Sequence, residues 1–182
     1  MRIELSDGVV RIRRNYADDI PLLFEAARES TNEMFAWMSW CHPNYTLEES
    51  ASFVLSREIA WNQKTEYDFA VFDVESGQFL GGVGLNQFNR NHNFANLGYW
   101  VRSSQTGRGV ATAATLLAAQ FGFEDLGLHR IEIVAAVGNV ASGRVAEKAK
   151  AEREGVLRSR LLLHNRPNDA VIYSLIVDDK NI

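Results

Sequence analysis

The most chemically suggestive run in this 182-residue chain is Gln105-Thr106-Gly107-Arg108-Gly109-Val110-Ala111. It follows an apolar, aromatic strand at Leu97–Val101 and precedes a long Ala/Leu/Phe-rich helix running through Phe123. Small residues alternate at Gly107, Gly109 and Ala111. Glycine lets a chain turn tightly and brings backbone N–H groups close to a ligand. The helix behind adds its electropositive end and its unpaired amides, a combination that binds phosphate. Arg108 supplies a charge suited to a pyrophosphate or a phosphate monoester. The run lacks the Lys-Ser/Thr pair of a P-loop, and its GxGxA spacing is not the GxGxxG of a dinucleotide fingerprint. On spacing alone, a plain strand-to-helix turn would look the same.

Other reactive side chains are sparse. Asn139-Val140-Ala141-Ser142 opens a later helix, and no Ser-His-Asp arrangement is legible to make Ser142 a nucleophile. Cys41 and His42 are adjacent while His92, His129 and His164 lie far apart, so no zinc spacing exists and no metal is expected. Cys41 is the only cysteine and cannot form an intramolecular disulfide; it reads as a core or pocket thiol.

The elements that must position these residues follow from periodicity. Val9–Arg13 alternates as a strand. Asp18-Asp19-Ile20-Pro21 opens a helix, acids and proline both suiting its first turn, with Leu22, Leu23, Ala26 and Ala27 as the buried stripe. Phe35–Trp40 is aromatic-rich. Thr46-Leu47-Glu48-Glu49 is a capping box for a second helix, whose inner face is expected at Phe53, Val54, Ile59 and Ala60. Strands at Tyr67–Val74 and Gln78–Leu85 flank the turn Glu75-Ser76-Gly77, and Asn86–Asn93 reads as a polar loop. A strand at Arg130–Val137, a helix at Asn139–Lys150 and closing strands at Gly155–Leu163 and Ala170–Val177 complete a mixed α/β order, β-α-α-β-β-β-α-β-α-β-β. No linker or repeat divides the chain, so residues 1–182 are expected to form one domain.

Bulk properties exclude some classes. The net charge of −4 argues against a protein that coats nucleic acid. No apolar run approaches a membrane span, and the first residues carry Glu4 with no apolar h-region. With a lone cysteine, a cytoplasmic setting is the expectation.

Four stretches together resemble the GNAT superfamily of acetyltransferases, specifically the Rim-type ribosomal-protein N-acetyltransferases. They are Leu97-Gly98-Tyr99-Trp100-Val101; Gln105 through Ala114; His129-Arg130-Ile131-Glu132-Ile133; and Asn139 through Lys148, with Glu154-Gly155 just beyond. Trp37-Met38-Ser39-Trp40 and Asp169–Tyr173 also fit, and the likeness runs nearly end to end. It implies a mostly antiparallel central sheet with a splayed strand pair, helices on both faces, and acetyl-CoA lying in the splay. Relatives of this kind are often dimers, so a homodimer is implied too. Three positions depart from the usual pattern: Thr106 in the loop, Lys150-Ala151 at a helix exit, and Asn96 where the family often carries a glutamate.

By that resemblance, backbone groups around Trp100 and Val101 pair with pantetheine and polarise the thioester carbonyl. Gln105, Thr106, Gly107, Arg108, Gly109, Val110 and Ala111 cradle the diphosphate, and Asn139 meets the pantetheine arm. Ser142 protonates the leaving thiolate. Trp37, Trp40 and Tyr99 contact the acceptor. The attacking amine must be neutral: at pH 7 about one α-amine in seven is free, against roughly one lysine in a few thousand. An N-terminal α-amine is therefore the favoured acceptor. With Asn96 in place of an acid, proton removal through water is expected, and Glu29, Glu33 and His92 are candidate bases. Two alternatives stay open, acetylation of a small amine (polyamine, amino acid or aminoglycoside) and a non-catalytic acyl-CoA-binding module.

Overall fold

The computed structural model describes residues 4–177. In chain order they form β1 (Glu4–Ser6), β2 (Val10–Arg14), α1 (Ile20–Met34), α2 (Leu47–Gln63), β3 (Tyr67–Asp73), β4 (Phe79–Asn89), β5 (Phe94–Val101), α3 (Val110–Glu124), β6 (Arg130–Ala136), α4 (Val140–Lys148), β7 (Glu152–Leu163) and β8 (Arg166–Ile176). The strands make one eight-stranded sheet, ordered β1-β2-β3-β4-β5-β6-β8-β7. Every neighbouring pair is antiparallel except β5 and β6.

That exception shapes the molecule. β5 and β6 pair only through Phe94–Arg130, Ala95–Ile131 and Asn96–Glu132. Beyond Asn96, β5 stays with β4 as far as Val101, while β6 follows β8 to Ala136. The two parallel strands separate, and a wedge opens between their C-terminal halves. An opening at the C-terminal ends of parallel strands is where α/β sheets take their ligands.

Helices cover both faces. Leu23 and Ala26 of α1 and Val54 of α2 pack on Ala70, Phe72 and Phe79. Across the sheet, Leu117, Ala118 and Phe121 of α3 meet Ile12, Phe69, Val71, Val83, Leu85 and Leu97. Phe121 stands edge-on to Phe69 at 5.1 Å and beside Trp61 at 5.9 Å. Burying a ring of this size stabilises the fold by about 1.5–3 kcal/mol.

Several boundaries differ from the sequence reading. β1 was not expected. Asp7 accepts from the amides of Val9 and Val10 at 2.8 and 2.7 Å and closes a hairpin too short to show alternation, which leaves exposed Val9 in the turn. Leu22 sits about 100° round α1 from Leu23 and is exposed; the stripe continues instead through Ser30, Thr31 and Met34. On α2 the buried line is Ser50, Val54 and Trp61, and Ile59 faces solvent. The polar segment 86–93 is not all loop. β4 runs to Asn89 through a bulge with Gln87 at φ 50°, so the extra residue breaks the alternation that marks a strand.

Candidate active site

The GxG run forms an open, left-handed entry to α3. Gly107 has φ 76° and Gly109, the N-cap, φ 84°, conformations that side chains rarely adopt. Among the described residues, no atom beyond the glycine and its two chain neighbours lies within 4 Å of where a Cβ would stand at either position. The first four amides of any helix lack internal partners. Here the deficit is longer: the amides of residues 107–112 find no hydrogen-bond acceptor among the described residues. Residues 106–109 are exposed, while Val110 turns its side chain into the core and anchors the turn. Arg108 reaches Gln105 Oε1, Gln105 donates to Gln78 Oε1 at 3.2 Å, and the Thr106 hydroxyl donates to the Ser103 carbonyl at 2.9 Å. These side chains brace the loop and leave its amides uncapped.

The loop is held in place from α1. Arg102 is 7% exposed and pairs with Glu25 at 2.9 Å and with Glu29. Glu29 also accepts from the Ser104 amide at 2.8 Å, Ser30 accepts from the Ser103 amide at 3.0 Å, and the Ser103 hydroxyl donates to Glu33 at 2.7 Å. The Arg102 guanidinium pulls the Glu29 carboxyl down to about 2. Glu29 and Glu33, considered above as bases, are therefore struts. His92 lies in the β4–β5 turn, and none of the three lines the cleft described below.

Across the wedge, α4 begins at the end of β6. Asn139 caps it, Oδ1 accepting the Ser142 amide at 3.1 Å. The Tyr99 hydroxyl donates to the Ser142 carbonyl at 2.7 Å, and the two hydroxyls are 3.1 Å apart. Burial pushes the Tyr99 phenol up to about 12, so it stays protonated near neutrality. Tyr99 therefore bridges the two sides of the wedge. The Arg102 amide bonds β4 at the Leu80 carbonyl, 2.8 Å. Strict alternation then turns the main chain of Trp100 toward β4 and that of Tyr99 and Val101 toward the wedge. Of the two residues expected to offer main-chain groups to a ligand, Trp100 thus gives its own to β4, while Val101, together with Tyr99, faces the wedge.

On the α1/α2 face, a cleft of about 510 Å³ lies over β3, β4 and β5. Met38, Trp40, Tyr45 and Phe53 wall it, and Trp40 stands edge-on to Trp100 at 5.6 Å. The Trp100 indole lies over Gly82, where a Cβ would come within 2.7 Å of Nε1. Trp37 is not part of this cleft; its ring packs on Gly138 in the β6–α4 turn. Cys41 is buried and donates to the Ala27 carbonyl at 3.3 Å, and burial raises its thiol, as for a core cysteine. Sequence reasoning missed one acid. Asp68 lines the cleft, 18% exposed, with burial raising its carboxyl to about 6 against the opposing pull of Arg57. Its signal was faint: a carboxylate in an otherwise buried strand, Tyr-Asp-Phe-Ala-Val-Phe, facing the glycine-rich Gly81-Gly82-Val83-Gly84.

A splayed parallel pair, with a helix N-terminus after the C-terminal end of each strand and an aromatic cleft on one face of the sheet, defines the class as an acetyltransferase fold. The chain belongs to the GNAT acetyltransferase family: the Acetyltransferase (GNAT) domain matches residues 10–152. It is 29% identical over 136 residues to Probable N-acetyltransferase YjcK of Bacillus subtilis, covering 74% of this chain and 75% of that one. It is 25% identical over 112 residues to the ribosomal-protein-serine acetyltransferase of Escherichia coli, 62% of each chain. The fold matches that of RimL, a ribosomal L7/L12 α-N-protein acetyltransferase in complex with coenzyme A, with a TM-score of 0.86 at 19% identity, over 97% of this chain and 98% of that one.

Proposed function

We propose that the protein transfers the acetyl group of acetyl-CoA to a primary amine, the N-terminal α-amine of a protein, with a ribosomal protein as the favoured acceptor. The observation that carries this reading is the run of unpartnered amides at residues 107–112, set where α3 begins beside the open wedge. Six N–H groups and a helix dipole make a site for the diphosphate of coenzyme A. Arg108 adds a cation at its rim. The outward main chain of Tyr99 and Val101 then pairs with the pantetheine amides, and the thioester lies between β5 and α4. Ser142, held by Tyr99, gives its proton to the departing thiolate. Asn139, whose oxygen is used as a cap, offers its amide nitrogen to the pantetheine arm.

The acceptor comes from the opposite face, past Trp40 and Trp100. The cleft has the size and apolar character of a small-ligand or peptide-end site. An α-amine needs little help to lose its proton, which suits a β5 that carries Asn96 rather than an acid. The E. coli relative and RimL are both described as ribosomal-protein acetyltransferases, which supports the same acceptor class here.

Incubation with isotopically labelled acetyl-CoA and a panel of ribosomal-protein N-terminal peptides, polyamines and aminoglycosides tests the reading by mass spectrometry. Label on peptide α-amines is the expected result. Label on small amines alone would move the acceptor class, and binding of acetyl-CoA with no thiol release on any amine would overturn transfer.

A further inference from the structure

Three strands carry matching gaps on the face that the acceptor uses. Asp68 on β3 pairs in register with Gly84 on β4, and Gly84 with Gly98 on β5. All three positions face α1 and α2. Neither glycine has a side chain to fill that row, so a trough runs from Asp68 toward the point where β5 leaves β6. Neighbouring strands lie about 4.8 Å apart, which sets the trough at about 10 Å from β3 to β5. The Asp68 carboxylate leans into it: a Cβ on Gly84 would stand only 2.3 Å from Oδ1. Glycine at 84 is thus the residue that lets the carboxylate lie across β4.

The two oxygens of Asp68 are unequal. Oδ2 accepts from Arg57 Nη1 at 3.2 Å, whereas Oδ1 has no hydrogen-bond partner among the described residues. The other acid of the cleft, Glu49, is committed to His42 at 2.9 Å and to the Thr46 amide at 2.9 Å. The ionisable groups around Asp68 are Arg57 from α2, which favours the carboxylate, and Glu66, which shares Arg57 and opposes it. Glu49 with His42, Tyr45 and Tyr99 complete the charged and phenolic groups of the wall.

We propose that Asp68 is the base of the transfer reaction: its free oxygen, laid over Gly84, takes the ammonium proton of the acceptor as the amine moves along the glycine trough to the thioester at Gly98. The proposal rests on the acetyl-transfer reading. Asp68 takes one proton and the neutral nitrogen attacks the carbonyl carbon. The C–N bond forms, the C–S bond breaks, and the second surplus amine proton balances the one taken up by the thiolate. Asp68 then returns its proton to water.

The test compares wild type and Asp68→Asn on a peptide with a free N-terminal serine, from pH 6 to pH 9, by thiol release. A variant without the base depends on amine already neutral in solution. With an α-amine near 7.8, the neutral fraction is about one in seven at pH 7 and roughly one in sixty at pH 6. The expected deficit in kcat/KM is therefore about sevenfold at pH 7. It grows to about thirtyfold at pH 6, where Asp68 itself is half protonated, and closes to within about twofold at pH 9. Acetyl-CoA affinity is expected to be unchanged. A deficit of the same size at every pH marks a merely structural role and overturns the proposal, as does no deficit. Wild type that releases no thiol with any amine overturns acetyl transfer and the base with it, whereas equal activity of the two proteins overturns the base alone.

Discussion

Replacing Ala111 with proline removes one amide from the cradle and little else. Ala111 is the second residue of α3, and its N–H has no acceptor among the described residues. Proline is tolerated in a first helical turn because the N–H it lacks is unpaired there, and α1 of this chain already carries Pro21 at its start. The helix should therefore survive. A hydrogen bond to a charged acceptor contributes about 1.5–3 kcal/mol. At 1.4 kcal/mol per decade, Ala111→Pro is expected to weaken acetyl-CoA binding by about 10- to 150-fold. S-acetylpantetheine, which has the same thioester but no diphosphate, serves as the control. Calorimetry should show its affinity unchanged in the variant. Loss of affinity for both ligands would place the fault in the wedge, and an unchanged acetyl-CoA affinity in a folded variant would refute the cradle.

Ser142→Ala should lower kcat by about 100-fold or more while leaving the acetyl-CoA dissociation constant within about twofold, as expected of a general acid; unchanged turnover would remove Ser142 from the chemistry. Arg102→Leu leaves Glu29 facing the loop without its cation. Urea denaturation should show a loss of about 2–3 kcal/mol, less than for a wholly buried pair because Glu25 is exposed. Phe121→Ala opens a cavity against Phe69, Trp61 and Tyr67 and should cost about 3–5 kcal/mol in the same assay. Glu29 and Glu154 both titrate near 2 in the fold, depressed by Arg102 and Arg130, against an ordinary value of 4.5. Depressed carboxyls contribute fully above pH 4.5, and their contribution is lost as pH falls from there toward 2. The urea midpoint should decline across that window, and replacing both with glutamine should flatten the decline.

The elements most legible in the sequence were those with local signals. The Thr46/Glu49 capping box formed as written, with bonds of 3.2 and 2.9 Å, because it needs only four residues. The Gly107 and Gly109 turn was visible because positive φ leaves its mark on residue type. Features built from partners distant in sequence were not legible. Nothing local marks Arg102 as buried, yet it is, because Glu25 and Glu29, more than 70 residues earlier, neutralise it. Tyr99 read as an acceptor contact, and nothing in the sequence marked the bond of its hydroxyl to Ser142 across a gap that exists only because β5 and β6 part. Asp68 was invisible as chemistry, since its position depends on a glycine in the neighbouring strand. Trp37 and Trp40, three residues apart, shared one reading, but the chain places one on Gly138 and the other in the cleft.

The central claim is that main-chain amides at the start of α3 hold the diphosphate of coenzyme A. Titration of the ¹⁵N-labelled protein with coenzyme A, and separately with pantetheine, addresses those amides one by one. The account requires large shifts at residues 107–112 with coenzyme A and small ones with pantetheine, while Tyr99 and Val101 respond to both. Saturable binding of coenzyme A that leaves residues 107–112 unshifted would contradict it.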